Sequence, residues 1–219
     1  MGEKDLSVFP FWNKLTEEEK DEVQKQSKIV RFSKDQLVAS TDLDCLGIMY
    51  VLKGTLRIYL YSDDGREVTI ARLKREDMCI LSASCLLSQV SFPAAITAEN
   101  EVEALLIPSV LANRLKEHNI YVENSILRMT TERLSDVISA VEQMMFMTLE
   151  QRVVSFLLDE TADTGSNTLN ITQEKIAMAI GSAREAVSRI LKQLVKEETI
   201  EMTRGKITIL DKKKLYGKI

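Results

Sequence analysis

Histidine is almost absent from this chain: His118 is the only one in 219 residues. Proton transfer at neutral pH usually draws on that side chain, so most acid–base mechanisms lose their ordinary carrier. No HExxH, P-loop, GxSxG or paired-carboxylate motif stands in a fitting context, and no enzyme is expected. Long apolar runs are missing too, which excludes a membrane-spanning helix. The opening MGEKDLSVFPFW has no basic segment followed by an apolar stretch, so no signal peptide is read. Together these absences predict a cytoplasmic protein with no membrane partner, its thiols reduced by default. Cysteine is scarce, at Cys45, Cys79 and Cys85, and the spacing of the last two fits no zinc or iron–sulfur pattern. Glycine and proline are both absent between Ser109 and Thr148, which removes the usual helix breakers from that stretch.

What is present describes a soluble chain of one or two domains. Apolar residues make up 45% and charged residues 28%, enough for a sizeable core and a solvated surface. The net charge of −4 is unevenly spread. From Thr172 to Ile219 there are 11 Lys and Arg against 6 Asp and Glu, or +5; the remainder carries 18 against 27, or −9. An acidic body with a basic end is the distribution of a nucleic-acid reader.

Hydrophobic periodicity divides the chain. Residues 1 to about 30 read as helical, with Thr16 before Glu17, Glu18 and Glu19 as a cap and acidic first turn, and Phe9, Phe11, Trp12 and Leu15 as packing residues. From Ile29 to about Pro108 the period becomes two. Ile48, Tyr50 and Leu52 alternate, as do Leu56, Ile58 and Leu60, with Gly47, Gly54 and Asp64-Gly65 at turns. Many short strands with glycine turns predict an antiparallel sandwich or barrel. Ser109 to Met147 reads as one long helix. Leu127, Leu134, Val137, Val141 and Met144 recur along it, widened by Ile126, Met129, Ile138 and Met145. This is the seam of a homodimer interface, or otherwise a helix packed within its own chain. Thr148 to Thr161 reads as a further helix, and Asp163 to Asn167 as a loop.

The most informative stretch is Thr172 to Lys196. Ile176, Ala177 and Ile180 share one helical face, Gly181 permits a tight turn, and Ser182 with Glu185 has capping-box spacing. In the second helix, Ala183 to Lys196, Val187, Ile190, Leu191 and Leu194 form the stripe to be buried. Arg184, Glu185, Ser188, Arg189 and Lys192 lie opposite. Thr199 to Met202 and Lys206 to Leu210 alternate as strands across Arg204-Gly205. A solvated helical hairpin would explain the two helices alone. Helix, turn, helix and β-wing in this order, on a basic segment, predict double-stranded DNA as the partner.

At this point the order of parts resembles the bacterial CRP/FNR family, that of the cyclic-AMP receptor protein and the fumarate-nitrate reduction regulator. ITQEKIAMAIGSAREAVSRILKQLVKEETIEMTRGKITIL is similar to its DNA-binding signature, and YVLKGTLRIYLYSDDGREVTIARL to its effector domain. The resemblance implies an α+β chain in three parts. An antiparallel β jelly-roll of the cyclic-nucleotide-binding kind spans 1–108, a long dimerisation helix 109–147, and a winged helix-turn-helix 148–219. It implies a homodimeric transcription factor on a pseudo-palindromic operator, in contact with RNA polymerase. The base-reading positions fall on Arg184, Glu185, Ser188 and Arg189, whose chemistry suits G·C pairs. Thr172, Gln173, Lys192 and Arg204 are the candidates for backbone contacts.

The effector segment departs from the family pattern. A cyclic-nucleotide site carries a Gly-Glu pair for the ribose and an Arg-Ser or Arg-Thr pair for the phosphate. Residues 77–87 and 91–95 offer neither that acid nor an arginine, and Glu76 replaces the usual glycine. A buried phosphate without a cation is costly, which argues against cyclic AMP. Three readings of Cys45, Cys79 and Cys85 stay open: small buried hydrophobes, a thiol switch, or ligands of haem or another metal. A regulator with no effector at all is a further alternative.

Overall fold

The computed structural model describes residues 5–40, 45–62, 65, 67–80 and 94–219. Two compact units divide the chain, one formed by Met1–Leu60 with Ile70–Val137 and the other by Tyr61–Thr69 with Ile138–Ile219.

The first unit opens with two short 3-10 turns, Leu6–Val8 and Trp12–Lys14, then α1 (Glu17–Gln26). Thr16 and Glu19 form the expected capping box at its start. The helical reading of residues 1 to 30 is thus too generous, because β1 (Lys28–Phe32) already begins within it. Next come β2 (Leu37–Ser40), β3 (Gly47–Lys53), β4 (Leu56–Tyr61), β5 (Glu67–Leu73), β6 (Met78–Cys79), β7 (Ala94–Ala98) and β8 (Val102–Pro108). They form two four-stranded sheets, ordered β1-β8-β3-β6 and β2-β7-β4-β5. This is the expected antiparallel β-domain. Gly54 turns β3 into β4 at φ +87°, where a Cβ would stand 2.3 Å from the Glu101 carbonyl oxygen.

The period-two pattern has a physical cause in the layering. Met49 and Val51 of β3, with Ala104 and Leu106 of β8, face the core between the sheets. Ile48, Leu105 and Ile107 face the opposite way, into a second core with Phe9, Phe11 and Leu15. One sheet is therefore covered on both faces, by the other sheet and by a helical layer.

That layer includes α2 (Ser109–His118) and α3 (Ile120–Phe146). A single uninterrupted helix is not what forms: Asn119 separates the two. Its Oδ1 accepts from the Tyr121 backbone N–H at 3.0 Å, and its Nδ2 donates to Glu19 at 2.9 Å and to the Lys14 carbonyl at 3.2 Å. An asparagine that caps a new helix this way breaks the old one without glycine or proline. Val122, Ile126 and Met129 of α3 are buried in the core of their own unit. Ile126 and Met129 therefore do not widen an outer stripe. Leu127, Leu134, Val141 and Met144 are exposed, and Val137 is half-buried.

In the second unit, α4 (Leu149–Thr164) starts at a Thr148–Gln151 capping box and ends at Gly165, in the left-handed conformation. The loop at residues 163–167 thus begins later than the sequence suggests. The unit continues with β9 (Thr168–Leu169), α5 (Gln173–Ile180), α6 (Arg184–Lys196), β10 (Ile200–Thr203), β11 (Lys206–Ile209) and α7 (Lys212–Tyr216). The hairpin of β10 and β11 pairs further with β9 into a three-stranded sheet. Among the described residues, no helix is long and apolar enough to cross a membrane.

Candidate nucleic-acid interface

Two helices at a fixed angle need a short, rigid turn. Thr172 caps α5, its Oγ1 accepting from the Lys175 N–H at 3.2 Å. Gly181 ends α5 at φ +65°, and the Ser182 N–H donates to the Ala177 carbonyl at 3.0 Å. α6 begins at Arg184, and its N-cap is Ala183, with no side-chain cap. The capping box proposed for Ser182 and Glu185 does not form, because Ser182 lies one residue too early. The first turn of α6 keeps its backbone donors and the positive end of the helix dipole uncapped by a side chain.

α6 is strongly two-sided. Val187, Leu191 and Leu194 are fully buried in a core shared with Val153, Val154, Leu157 and Ile176. Each such side chain contributes about 1.5–3 kcal/mol of burial energy, which fixes the rotation of the helix. Arg184, Glu185, Arg189 and Lys192 are therefore exposed on the opposite face, with Ser188 half-buried among them. Thirteen residues give a rod about 20 Å long, of a width that a major groove admits.

The wing adds a flank. Arg204-Gly205 makes the two-residue turn between β10 and β11, with Gly205 at φ +74°. Thr172, Gln173, Glu174, Arg184, Arg204 and Lys206 line a groove of about 420 Å³ between the wing and the starts of α5 and α6. The structure thus brings Thr172, Gln173, Arg184 and Arg204 to one place, while Lys192 stands two turns along α6. Glu174 and Lys206 belong to this groove but were not singled out by periodicity, since both fall at exposed positions that carry no hydrophobic signal.

Two polar supports hold α6 and its turn. Arg152 on α4 donates from Nη1 to the Ile180 carbonyl at 2.9 Å, at the last turn of α5. Lys218 reaches Glu150 at 2.6 Å and Glu197, just past α6, at 2.7 Å. Hydrogen bonds to Glu150 and Glu197 hold the Lys218 ammonium above the usual lysine pKa, and those from Lys218 and Gln193 hold Glu197 below the usual glutamate range.

The proposed sensor residues lie elsewhere. Cys79, on β6, is a buried thiol in the core between the sheets. Cys45 is disulfide-bonded, a departure from the reduced state expected of a cytoplasmic chain. Cys85 lies outside the described residues, as does most of the segment read as the effector site. His118 is exposed, its Nδ1 2.8 Å from the Arg114 carbonyl oxygen. Among the described residues, no three potential ligands cluster around a metal position.

Known proteins carry the same two parts in the same order. The family model of the Crp-like helix-turn-helix domain matches residues 151–217, and that of the cyclic nucleotide-binding domain matches 29–119. The global nitrogen regulator of Synechocystis is 30% identical over 172 residues, covering 74% of this chain and 75% of that protein. The chain belongs to the CRP/FNR family of transcription regulators. The cAMP-activated global transcriptional regulator Vfr of Pseudomonas aeruginosa is 25% identical over 176 residues, covering 76% of this chain and 81% of that one. A solved structure from Eubacterium rectale, classed with CRP/FNR transcriptional regulators, is 38% identical with a TM-score of 0.93. The match covers 96% of this chain and 98% of that one. The family consists of transcription regulators, not enzymes, and its helix-turn-helix binds DNA.

Arg152 gives a direct test of how the reader is held. Replacing it with Ala leaves the Ile180 carbonyl without its partner and should cost about 1–3 kcal/mol of unfolding free energy in urea titration. An unchanged midpoint would show that the turn does not depend on this bond.

Proposed function

We propose that this CRP/FNR regulator acts as a homodimer that reads a pseudo-palindromic operator. Residues 1–108 serve as its sensor, 109–147 join the two copies, and 148–219 hold the DNA. The observation that carries this reading is the outward face of α6. Arg184, Glu185, Ser188 and Arg189 are presented on one side of a helix whose other side is locked into a core. Arg184 and Arg189 can each donate twice to a guanine edge, and Glu185 can accept from a cytosine amino group, so the half-site contains G·C pairs. Thr172, Gln173, Lys192 and Arg204 meet phosphates and set the register. In this reading the protein is cytoplasmic and contacts RNA polymerase.

A single short helix gives limited affinity, and two copies on one face of DNA double the contact. Leu127, Leu134, Val141 and Met144 are exposed apolar residues along α3, and Val137 lies beside them half-buried. Their recurrence suits a second copy of the same helix. A signal in the β-domain would shift the population between two spacings of the paired α6 helices, of which one fits successive major grooves.

Cyclic AMP is not the signal in this reading, since residues 77–95 contain no arginine for its phosphate. The disulfide at Cys45 favours a thiol signal instead, in which a dithiol reductant returns the bond to two thiols. Cys79, buried between the sheets, keeps its packing role.

Selection of bound sequences from random DNA should return an inverted repeat, and gel shifts should weaken steeply with salt. Arg189→Ala should cost about 1–3 kcal/mol at one base pair only, whereas Lys192→Ala should weaken all sequences and lower the salt slope by about one. Uniform loss from both variants would remove base reading by Arg189. Leu134→Glu with Val141→Glu should yield monomers by analytical ultracentrifugation and abolish operator shifts; a stable dimer would place the interface elsewhere. A dithiol reductant should change the operator affinity of the native protein and leave that of Cys45→Ser unmoved. Equal responses would remove the thiol signal.

A further inference from the structure

The groove beside the wing is basic except for one carboxylate. Glu174 stands in the first turn of α5, among Arg184, Arg204 and Lys206, and its Oε2 lies 3.9 Å from Arg184 Nε. We propose that Glu174 is a specificity-determining residue. It positions the Arg184 guanidinium for a guanine and weakens, without abolishing, the groove's sequence-independent pull on phosphates. The inference rests on the reading of Arg184 as a base-contacting side chain and extends it to a residue that touches no base.

An arginine offers donors along more than one edge, so a free one can meet DNA in several ways. A carboxylate 3.9 Å from Nε draws the side-on edge toward itself by charge, without a hydrogen bond, and leaves the two terminal nitrogens, Nη1 and Nη2, for DNA. End-on donation to a guanine then becomes the favoured approach. Both partners are more than half exposed, and in water such a pair contributes little. Docking on DNA changes that. Water leaves the groove, the local dielectric falls, and the interaction between the two charges strengthens where the base is read.

The same carboxylate acts on the backbone. The starts of α5 and α6 direct positive dipole ends toward the groove, with Arg204 and Lys206 beside them, which would draw a phosphate in any sequence. Glu174 occupies that field already. Repelling the phosphate weakens operator and random DNA alike, because backbone attraction carries no sequence information. Ordering Arg184 benefits only a site with guanine at its position. The ratio of the two affinities therefore rises, although total affinity falls. If Glu174 merely stabilised the first turn of α5, its loss would leave both the ratio and the salt slope unchanged.

The test uses the full-length protein, the selected operator, an operator changed at the base pair whose discrimination Arg184→Ala removes, and random duplex DNA. Glu174→Gln should tighten random-sequence binding and steepen its salt slope by about one. It should also reduce discrimination at the Arg184 base pair by about fivefold. In the Arg184→Ala background it should alter discrimination no further. If Glu174→Gln leaves slope and discrimination unchanged while Arg184→Ala still removes discrimination, the inference is overturned and DNA reading stands. If Arg184→Ala removes no discrimination at any base pair, the role of Arg184 falls and the inference falls with it.

Discussion

A helix packed on a small core can bury one side only, and α6 buries Val187, Leu191 and Leu194 without remainder. These three side chains determine which way every other residue of the helix points. The core they share draws on α4, α5, the strands of the wing and α7, which together hold one rod at one rotation. Arg184, Glu185, Arg189 and Lys192 are outward because nothing else is left for them. The basic excess of residues 172–219 falls within the helix-turn-helix domain, where a DNA-binding surface favours positive charge whatever the rest of the chain carries.

The same economy governs α3. Its early turns bury Val122, Ile126 and Met129 within their own unit, and its apolar residues further along stand exposed. An exposed apolar seam is costly in a monomer, and in the proposed homodimer a second copy would remove that cost. The β-domain follows a third variant, in which one sheet is buried on both faces. Ile48 and Val51, three residues apart on β3, serve different cores.

Much of this was legible in the sequence where hydrophobic spacing carried it. The β-strands, the helix-turn-helix with its wing, and the cap at Thr16 follow local rules that need no tertiary information. The misses share a physical cause. Asn119 breaks the long helix through contacts to Lys14 and Glu19, about a hundred positions away, which no local pattern encodes. Ser182 has capping chemistry, but the turn geometry gives the cap position to Ala183. β9 is two residues long and exists only because β11 lies beside it. In the reader itself, Arg184 and Arg204 were accessible to pattern, while Glu174 became visible only when folding placed it against Arg184.

Everything functional in this account returns to the outward face of α6, present twice and one helical turn of DNA apart. Hydroxyl-radical and guanine-methylation footprinting on the selected operator measures that most directly. The account predicts two symmetric patches of protection on one face of the duplex, with protected guanines in major grooves about 10 base pairs apart. One patch alone, or protection of sugars with every guanine still open to methylation, would contradict it.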